Sequence, residues 1–253
     1  MTKAIIDIES FIYRGAAATS DLLELEEGMF SPVYILQNGL DYIQGVIEDI
    51  IATTNTNEYT LVFGDKKNYR KVLNPDYKIN RKDVKPHPML YKLKEKVQEL
   101  YPCVYINYLE ADDTCRILFE ENKLENVLVS IDKDLRTFPC RVYNPDDKEL
   151  GVQRITKKQA DYNFFKQLLT GDKCDGYDGL KGVGPQTADK LLADVKTLED
   201  VKSIYEGKGY GPQFIEVYNM AHILGKEDLS DNKVSLYGNL KFNIETGEVE
   251  SGL

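Results

Sequence analysis

A chain of 253 residues, 42% of them hydrophobic, is long enough to bury a core in one large domain or two smaller ones. Its formal net charge of -10 argues against a protein that simply coats nucleic acid, because lysine and arginine contacts to phosphate dominate such binding. Acids interrupt the apolar N-terminus and no apolar stretch is long enough to span a membrane, so we expect neither a secretory signal nor a transmembrane helix, but a cytoplasmic protein.

Short apolar runs alternate with helical patterns along residues 1–155. The strand-like runs are 4–8, 58–64, 103–108, 126–131 and 140–144, and the helical patterns are 33–51, 89–100 and 112–123. This alternation predicts an α/β domain whose mostly parallel sheet is covered by helices on both faces. Residues 156–253 predict a second, mostly helical region, with helices at 157–171, 186–195, 198–207 and 211–225. The stretch 233–253 has mixed alternation and several glycines, and no function follows from it.

Acidic residues follow four of the predicted strands. A single acid after a strand is explained by helix capping. Acids after four strands are a different matter, because the carboxyl ends of parallel strands share one edge, and functional crevices lie beyond that edge. The residues concerned are Asp7, Asp65, Glu110, Asp112, Asp113, Asp132 and Asp134.

An acidic cluster without histidine or cysteine favours a hard divalent cation. Carboxylate oxygens suit Mg²⁺ or Mn²⁺ better than zinc, and the four cysteines contain no CxxC pair. Two such ions roughly 4 Å apart can activate water and stabilise the leaving oxygen in phosphodiester cleavage. The stretch "LEADDTC", residues 109–115, therefore predicts metal ligands, although Asp112 or Asp113 could also cap the helix that follows.

Basic charge is concentrated in one segment. Residues 66–96 contain eleven lysines or arginines against three acids, so a basic strip adjoins the predicted acidic edge. Tyr69 and Tyr77 lie within the strip, where they could stack on displaced bases or pack in the core. Pro86 and Pro88 interrupt helix formation, which leaves only residues 89–100 with a clear helical pattern.

The stretch "GLKGVGPQTADKLL", residues 179–192, predicts a hairpin before a helix that begins near Pro185. Backbone amides at a helix N-terminus bind phosphate without reading sequence. A tight connection that needs glycine for left-handed angles is the structural alternative. The hairpin is preceded by three further acidic residues, Asp172, Asp175 and Asp178.

Five motifs in this order resemble those of the 5′ nucleases of phages and bacteria: flap endonucleases, phage 5′→3′ exonucleases and the nuclease domain of bacterial DNA polymerase I. The resemblance covers roughly residues 4–195. The matching stretches are "IIDIESFIYRGA", "VFGDKKNYRKVLNPDYKINRK", "EADD", "SIDKDL" and "GDKCDGYDGLKGVGPQTA". The sequence departs from the family at Gly176, where asparagine is usual, and at Asp178, where proline is common.

The resemblance implies a PIN-like nuclease fold with a helix-hairpin-helix region, and a role for each matching residue. Residues 66–100 correspond to the arch through which flap endonucleases thread single strands, here short or open. The implied metal ligands, for two Mg²⁺ or Mn²⁺ ions, are Asp7, Asp65, Glu110, Asp112, Asp113, Asp132, Asp134, Asp172 and Asp175. The implied phosphate-contacting residues are Arg70, Lys78, Arg81 and Lys82. The implied DNA contacts, with K⁺ at the hairpin, are Lys66, Lys67, Tyr77, Gly179, Gly182, Val183, Gly184, Gln186 and Thr187.

The activity implied is metal-dependent 5′→3′ hydrolysis of duplex DNA at 5′ ends, flaps or nicks, in a bacterial or phage-infected cell. Flap endonuclease activity and cleavage of RNA/DNA hybrids are further expectations. A non-catalytic structure-specific DNA-binding protein is one alternative, which the intact acids disfavour because anions repel phosphate. A PIN-type ribonuclease is the other, which the hairpin stretch disfavours.

Overall fold

A computed structural model describes residues 2–251. Its first half alternates strands and helices as the sequence predicts, with an added hairpin between the first two helices. The elements are β1 (Lys3–Asp7), α1 (Glu9–Ala18), β2 (Ser20–Glu26), β3 (Met29–Tyr34), α2 (Leu36–Thr54), β4 (Glu58–Val62), α3 (Tyr69–Leu73), α4 (Leu90–Leu100), β5 (Cys103–Val104), α5 (Ala111–Phe119), β6 (Val127–Val129), β7 (Cys140–Tyr143) and β8 (Val152–Ile155).

Six of these strands form one sheet in the order β5-β4-β1-β6-β7-β8. Neighbours are parallel except β7 and β8, which are antiparallel. Helices α1, α2 and α4 pack on one face and α5 on the other, so both faces are buried. The predicted α/β fold with a mostly parallel sheet is confirmed.

Apolar spacing explains how the helices bind the sheet. In α2 the buried residues Ile43, Ile47 and Ile50 recur at intervals of four and three, which places them on one helical stripe. The helix ends at Asn55, which adopts the left-handed conformation and whose amide bonds to the carbonyl of Ile51. The β4 strand then begins at Glu58 and carries Asp65 just beyond its carboxyl end.

The second half is helical at first and then becomes a small sheet. Its elements are α6 (Lys157–Thr170), β9 (Gly171–Asp172), β10 (Tyr177–Asp178), α7 (Pro185–Leu191), α8 (Leu198–Gly207), α9 (Gly211–Ala221), β11 (Leu229–Ser230), β12 (Lys233–Leu236), β13 (Leu240–Asn243) and β14 (Val249–Ser251). The prediction of a helical region is therefore correct for residues 157–221 and wrong for 229–251, where alternating apolar residues and glycine turns form four antiparallel strands.

Two further features position the site. The basic strip contains only α3, a 3-10 turn at Ile79–Arg81 and α4, so no long arch helix forms between residues 66 and 89, as the prolines predict. The sheet β11–β14 packs through Phe242 and Val234 against Tyr69 and Leu109, which supports the basic strip from behind. Within residues 2–251 no helix has the length and apolar content that crossing a membrane requires.

Candidate active site

Three carboxylates meet at the carboxyl edge of the sheet without a cationic partner. Asp7 ends β1, Asp112 lies in the first turn of α5, and Asp132 follows β6. Asp7 is only 7% exposed, and its Oδ2 accepts a hydrogen bond of 2.9 Å from the Ser130 hydroxyl. Within residues 2–251 no lysine or arginine forms an ion pair with any of the three acids.

Burial and repulsion by neighbouring acids raise the pKa of Asp7 and of Asp112. Burial, followed by repulsion from Glu9 and Asp132, raises the pKa of Asp7 to about 7. Burial, followed by repulsion from Asp132 and Asp7, raises the pKa of Asp112 well above its usual range. A bound cation stabilises such a cluster, because its positive charge offsets the repulsion between the carboxylates.

Beside this cluster a buried arginine neutralises two acids that the sequence assigned to metal. Arg70 is 2% exposed and forms a bidentate pair with Asp113, at 2.7 and 2.8 Å, and a further contact of 3.1 Å to Glu110. It also donates to the backbone carbonyls of Met220 and His222. The sequence predicts that Arg70 meets the scissile phosphate, whereas in this structure its guanidinium is buried and its donors are used internally.

Asp113 has a structural role in this arrangement. The side chain is fully buried, and its oxygens also accept hydrogen bonds from the backbone amides of Glu110 and Leu224. Asp113 thereby fixes the start of α5 and joins it to the segment that follows α9. The predicted metal ligand is in contact with Arg70 and two amides instead.

Tyr77 and Lys78 link Glu110 to Asp175. The Tyr77 hydroxyl donates to Glu110 at 2.9 Å and to Asp175 at 3.0 Å, and the Lys78 ammonium pairs with Glu110 and lies 3.6 Å from Asp175. Burial alone would raise the pKa of Glu110, but Arg70 and Lys78 hold it below its usual range. Tyr77 is 2% exposed and packs in the core, which is the alternative to stacking on displaced bases that the sequence left open.

Lys133 pairs with the acids on the other side of the cluster. Its ammonium lies 2.9 Å from Asp172 and 3.4 Å from Asp134. Burial is the main cause that raises the pKa of Asp134 to about 6, whereas Asp172 has its pKa lowered because Lys133 and the Cys174 amide outweigh the effect of burial. The sequence reasoning missed Lys133, although the letters "DKD" place it between two of the predicted ligands.

Asp65 and several exposed basic side chains lie around this centre. The Asp65 carboxylate accepts a 2.8 Å hydrogen bond from the Tyr108 amide, and Tyr108 has a positive φ of 60°, so Asp65 braces the turn before α5. Arg81 reaches Asp175 at 2.8 Å and remains 57% exposed. Lys66, Lys67 and Lys82 are exposed at the surface of the strip.

Most of the other predicted ligands are already paired with protein cations, namely Glu110, Asp113, Asp134, Asp172 and Asp175. Within residues 2–251 no three histidine, cysteine or acidic side chains are arranged so that they could hold a metal ion as they stand. The donor set nevertheless fits a hard divalent ion, because Asp7, Asp112 and Asp132 offer only carboxylate oxygens and repel one another at a partly buried edge. Movement of these side chains is needed to complete a site.

The glycine hairpin packs beside Asp172 and Asp175. A Cβ on Gly171 would lie 2.2 Å from the Gly179 amide, so glycine is required where β9 passes the hairpin. Gly182 has a φ of +78°, and its Cβ position faces open space. Val183 is buried and anchors the tip, while Gly184, Gln186 and Thr187 are exposed at the start of α7.

Comparison with known proteins gives a consistent result. No protein-family model matches the chain. The exodeoxyribonuclease of Enterobacteria phage T3 is 30% identical over 187 residues, which cover 66% of this chain and 59% of that protein. The 5′-3′ exonuclease of Aquifex aeolicus is 28% identical over 223 residues, which cover 81% of this chain and 73% of that protein. These relatives support a relationship of this chain to the 5′ nucleases.

Solved structures agree with this similarity at the level of fold. The crystal structure of the bacteriophage T5 D15 flap endonuclease with DNA and metal ions has a TM-score of 0.64 at 12% identity and covers 87% of this chain and 88% of that one. The chain spans about 60% of the length of the T3 and T7 phage relatives it matches. What the chain acts on is therefore stated below as a proposal.

Proposed function

We propose that this chain is a divalent-metal-dependent 5′→3′ nuclease that hydrolyses phosphodiester bonds at the 5′ ends of duplex DNA. The observation that carries the proposal is the cluster of Asp7, Asp112 and Asp132, whose repelling charges have no cationic partner in the described chain. The relatives named exodeoxyribonuclease and 5′-3′ exonuclease support the reaction, and the T5 structure with DNA and metal ions supports the substrate class.

The candidate ligands divide between two ions. Asp7, Asp112 and Asp132, with Glu110, would hold one ion, and Asp134, Asp172 and Asp175 would hold the other. Asp65, predicted as a ligand of the first ion, would act through the turn it braces. Mg²⁺ is the ion that we propose, with Mn²⁺ as a substitute, because both prefer carboxylate oxygen. When bound, the pair supplies the positive charge that activates water and stabilises the leaving oxygen.

Protein cations bind and orient the phosphate. The Lys78 ammonium lies between Glu110 and Asp175, at the boundary of the two ligand groups, and so can neutralise a phosphate oxygen there. Arg81 and Lys82 extend this charge outward along the exposed strip. Lys133 pairs with Asp172 and Asp134 and offsets the negative charge of these two acids before an ion binds.

The hairpin would bind the duplex away from the scissile bond. Its exposed backbone amides contact phosphate and carry no sequence information, which suits a nuclease that recognises a 5′ end. A K⁺ ion at the hairpin, activity on flaps and nicks, and cleavage of RNA/DNA hybrids belong to the same proposal. The short basic strip, which lacks a long arch helix, favours ends over threaded flaps.

The test uses three 5′-labelled substrates: a blunt duplex, a flap and an RNA/DNA hybrid. We expect products from the duplex in Mg²⁺ and none in EDTA, and their lengths distinguish nibbling from cutting at a junction. Tight binding of all three without cleavage in Mg²⁺ or Mn²⁺ would contradict the proposal and favour a DNA-binding protein.

Replacing Lys78 should slow cleavage more than it weakens binding. Lys78→Ala removes a charge-assisted contact to the phosphate, and we expect the single-turnover rate to fall by about 100-fold or more, as when one preorganised donor is lost. Duplex affinity, measured by fluorescence anisotropy in Ca²⁺, should change by less than about threefold, because one phosphate contact among several is lost. Lys208→Ala, at an exposed lysine just after α8, is the matched control. A pure binding defect would assign Lys78 to docking instead.

Replacing Gly182 should weaken duplex binding. Gly182→Val places a branched side chain at a φ of +78°, which costs roughly 1–2 kcal/mol of backbone strain and distorts the amides of the tip. We expect lower affinity and a shallower dependence of affinity on salt, because fewer phosphates are contacted. Gly45→Val on the exposed side of α2 is a control for loss of glycine alone. Unchanged affinity would make the hairpin purely structural.

A further inference from the structure

A second basic surface lies at the end of the central sheet that is opposite to the carboxylates. There a groove of about 750 Å³ runs along the β8 edge, and its lining contains four basic side chains and no acidic one. The basic residues are Lys123, Arg141, Arg154 and Lys157. Helix α6 starts at this groove and ends at Thr170, two residues before Asp172, and its 14 residues put the two surfaces about 20 Å apart. We call the surface the β8 groove.

Two arginines in the groove oppose one another directly. Arg141 of β7 and Arg154 of β8 are register partners in the antiparallel pair, so their side chains stand on the same face. Like charges at such positions are destabilising, since the Cβ atoms of cross-strand partners are about 5 Å apart. In a chain of net charge -10, such a pair indicates a bound anion that offsets its cost.

Within residues 2–251 no acidic side chain forms an ion pair with either arginine. Arg141 donates to two backbone carbonyls, those of Leu124 at 2.9 Å and Glu125 at 3.3 Å. The Arg154 side chain is exposed and has no ion pair or hydrogen bond within residues 2–251. Lys123 and Lys157, by contrast, pair with Glu120 and Asp161 outside the lining. The first turn of α6 adds positive potential, because it contains two lysines and no acid.

The groove also offers a strand edge and apolar walls. β8 is the last strand of the sheet, so one side of its backbone has no partner strand among residues 2–251. Leu124, which is 85% exposed, gives the groove an apolar surface next to the arginines. An extended peptide can pair with such an edge, so that alternate side chains point to the two faces of the sheet. Nucleic acid can satisfy the arginines but does not pair with a strand edge.

We propose that the β8 groove binds an extended, acidic peptide segment of a partner protein. Carboxylates of the segment pair with Arg141 and Arg154, its backbone adds a strand to β8, and its intervening apolar side chains pack on Leu124. The groove is remote from the carboxylate cluster, so the partner binds while that cluster is engaged with DNA.

A labelled synthetic octapeptide of alternating aspartate and leucine tests the proposal by fluorescence anisotropy with the whole chain. We expect saturable binding of the peptide to the wild-type chain. Binding to Arg154→Ser should be at least about tenfold weaker, which is the loss expected for one charge-assisted contact. Binding to Arg154→Glu should be absent. The same peptide with lysine for aspartate should not bind, and proline at alternate positions should weaken binding because strand pairing is lost. Lys208→Glu controls for net charge, and DNA cleavage by Arg154→Glu should equal that of the wild type.

Three outcomes would overturn the proposal. The first is that no saturable peptide binding is seen up to about 1 mM, a dissociation constant that corresponds to a binding free energy of only about 4 kcal/mol. Another is binding of a single-stranded oligonucleotide, not of the peptide, that Arg154→Glu abolishes, which assigns the groove to nucleic acid. The third is self-association in sedimentation velocity that Arg154→Glu abolishes, which makes the occupant a second copy of the chain.

Discussion

Replacing Asp112 or Asp132 with asparagine should abolish cleavage without weakening the fold. Each substitution keeps the side-chain shape and removes one negative charge from the cluster at the ends of β1 and β6. Loss of even a residue that only supports a metal ligand costs about 10–100-fold in metal affinity or activity, so we expect cleavage to fall by at least about 100-fold. Rates are measured in single turnover on the 5′-labelled duplex at saturating Mg²⁺.

The same substitutions should leave the free energy of unfolding unchanged or raise it. Burial and the charges of Asp132 and Asp7 disfavour the ionised form of Asp112, so replacing its carboxylate with a neutral amide removes this repulsion. Urea unfolding without metal measures this effect, and Asp194→Asn, at an exposed position in the helical half, is the control. Cleavage at the wild-type rate by both variants would contradict the assignment of the cluster to catalysis.

The sequence was most informative where local patterns and strand order act together. The alternation of strands and helices predicted the parallel sheet, and that topology alone was enough to bring Asp7, Asp112 and Asp132 to one edge. The positions of Pro86 and Pro88 correctly excluded a long arch helix. These features follow from spacing along the chain, so they could be read without knowledge of side-chain contacts.

The sequence could not show which acids are already paired. Asp112 and Asp113 are adjacent and identical in type, yet a helix turns successive residues about 100° apart, so one faces the cluster and the other faces Arg70. Tyr77 and Arg70 belong to a basic strip whose composition suggests exposure, but both are buried by contacts with segments far away in sequence. Long-range contacts of this kind leave no periodic signal.

The hairpin formed by β2 and β3 and the sheet formed by β11–β14 were also missed. Residues 20–26 alternate poorly, because both faces of β2 are exposed and no buried face imposes a pattern. In the C-terminal sheet the strands are short and joined by tight turns, including Asp231 and Asn232 with positive φ. Such turns favour asparagine and glycine, which the sequence reasoning recorded as irregularity.

Removing one partner of the pair formed by Arg70 and Asp113 should cost more stability than breaking any other ion pair within residues 2–251. Both side chains are almost fully buried, so Arg70→Met leaves an uncompensated carboxylate in the interior. Removing one partner of a buried pair costs about 3–5 kcal/mol, and we expect a loss of that size in the free energy of unfolding, measured with urea. Asp113→Asn should destabilise the fold for the same reason, since it leaves the Arg70 charge without its main partner.

An exposed pair provides the matched control. Arg14 and Asp146 form a bidentate contact of similar length, but their side chains are 42% and 44% exposed, so Arg14→Met should cost less than about 1 kcal/mol. Equal losses at the two sites would contradict the role assigned to burial. The comparison also separates two adjacent acids that a sequence motif treats alike: Asp112→Asn loses chemistry in a stable fold, whereas Asp113→Asn loses activity because the fold itself is weakened.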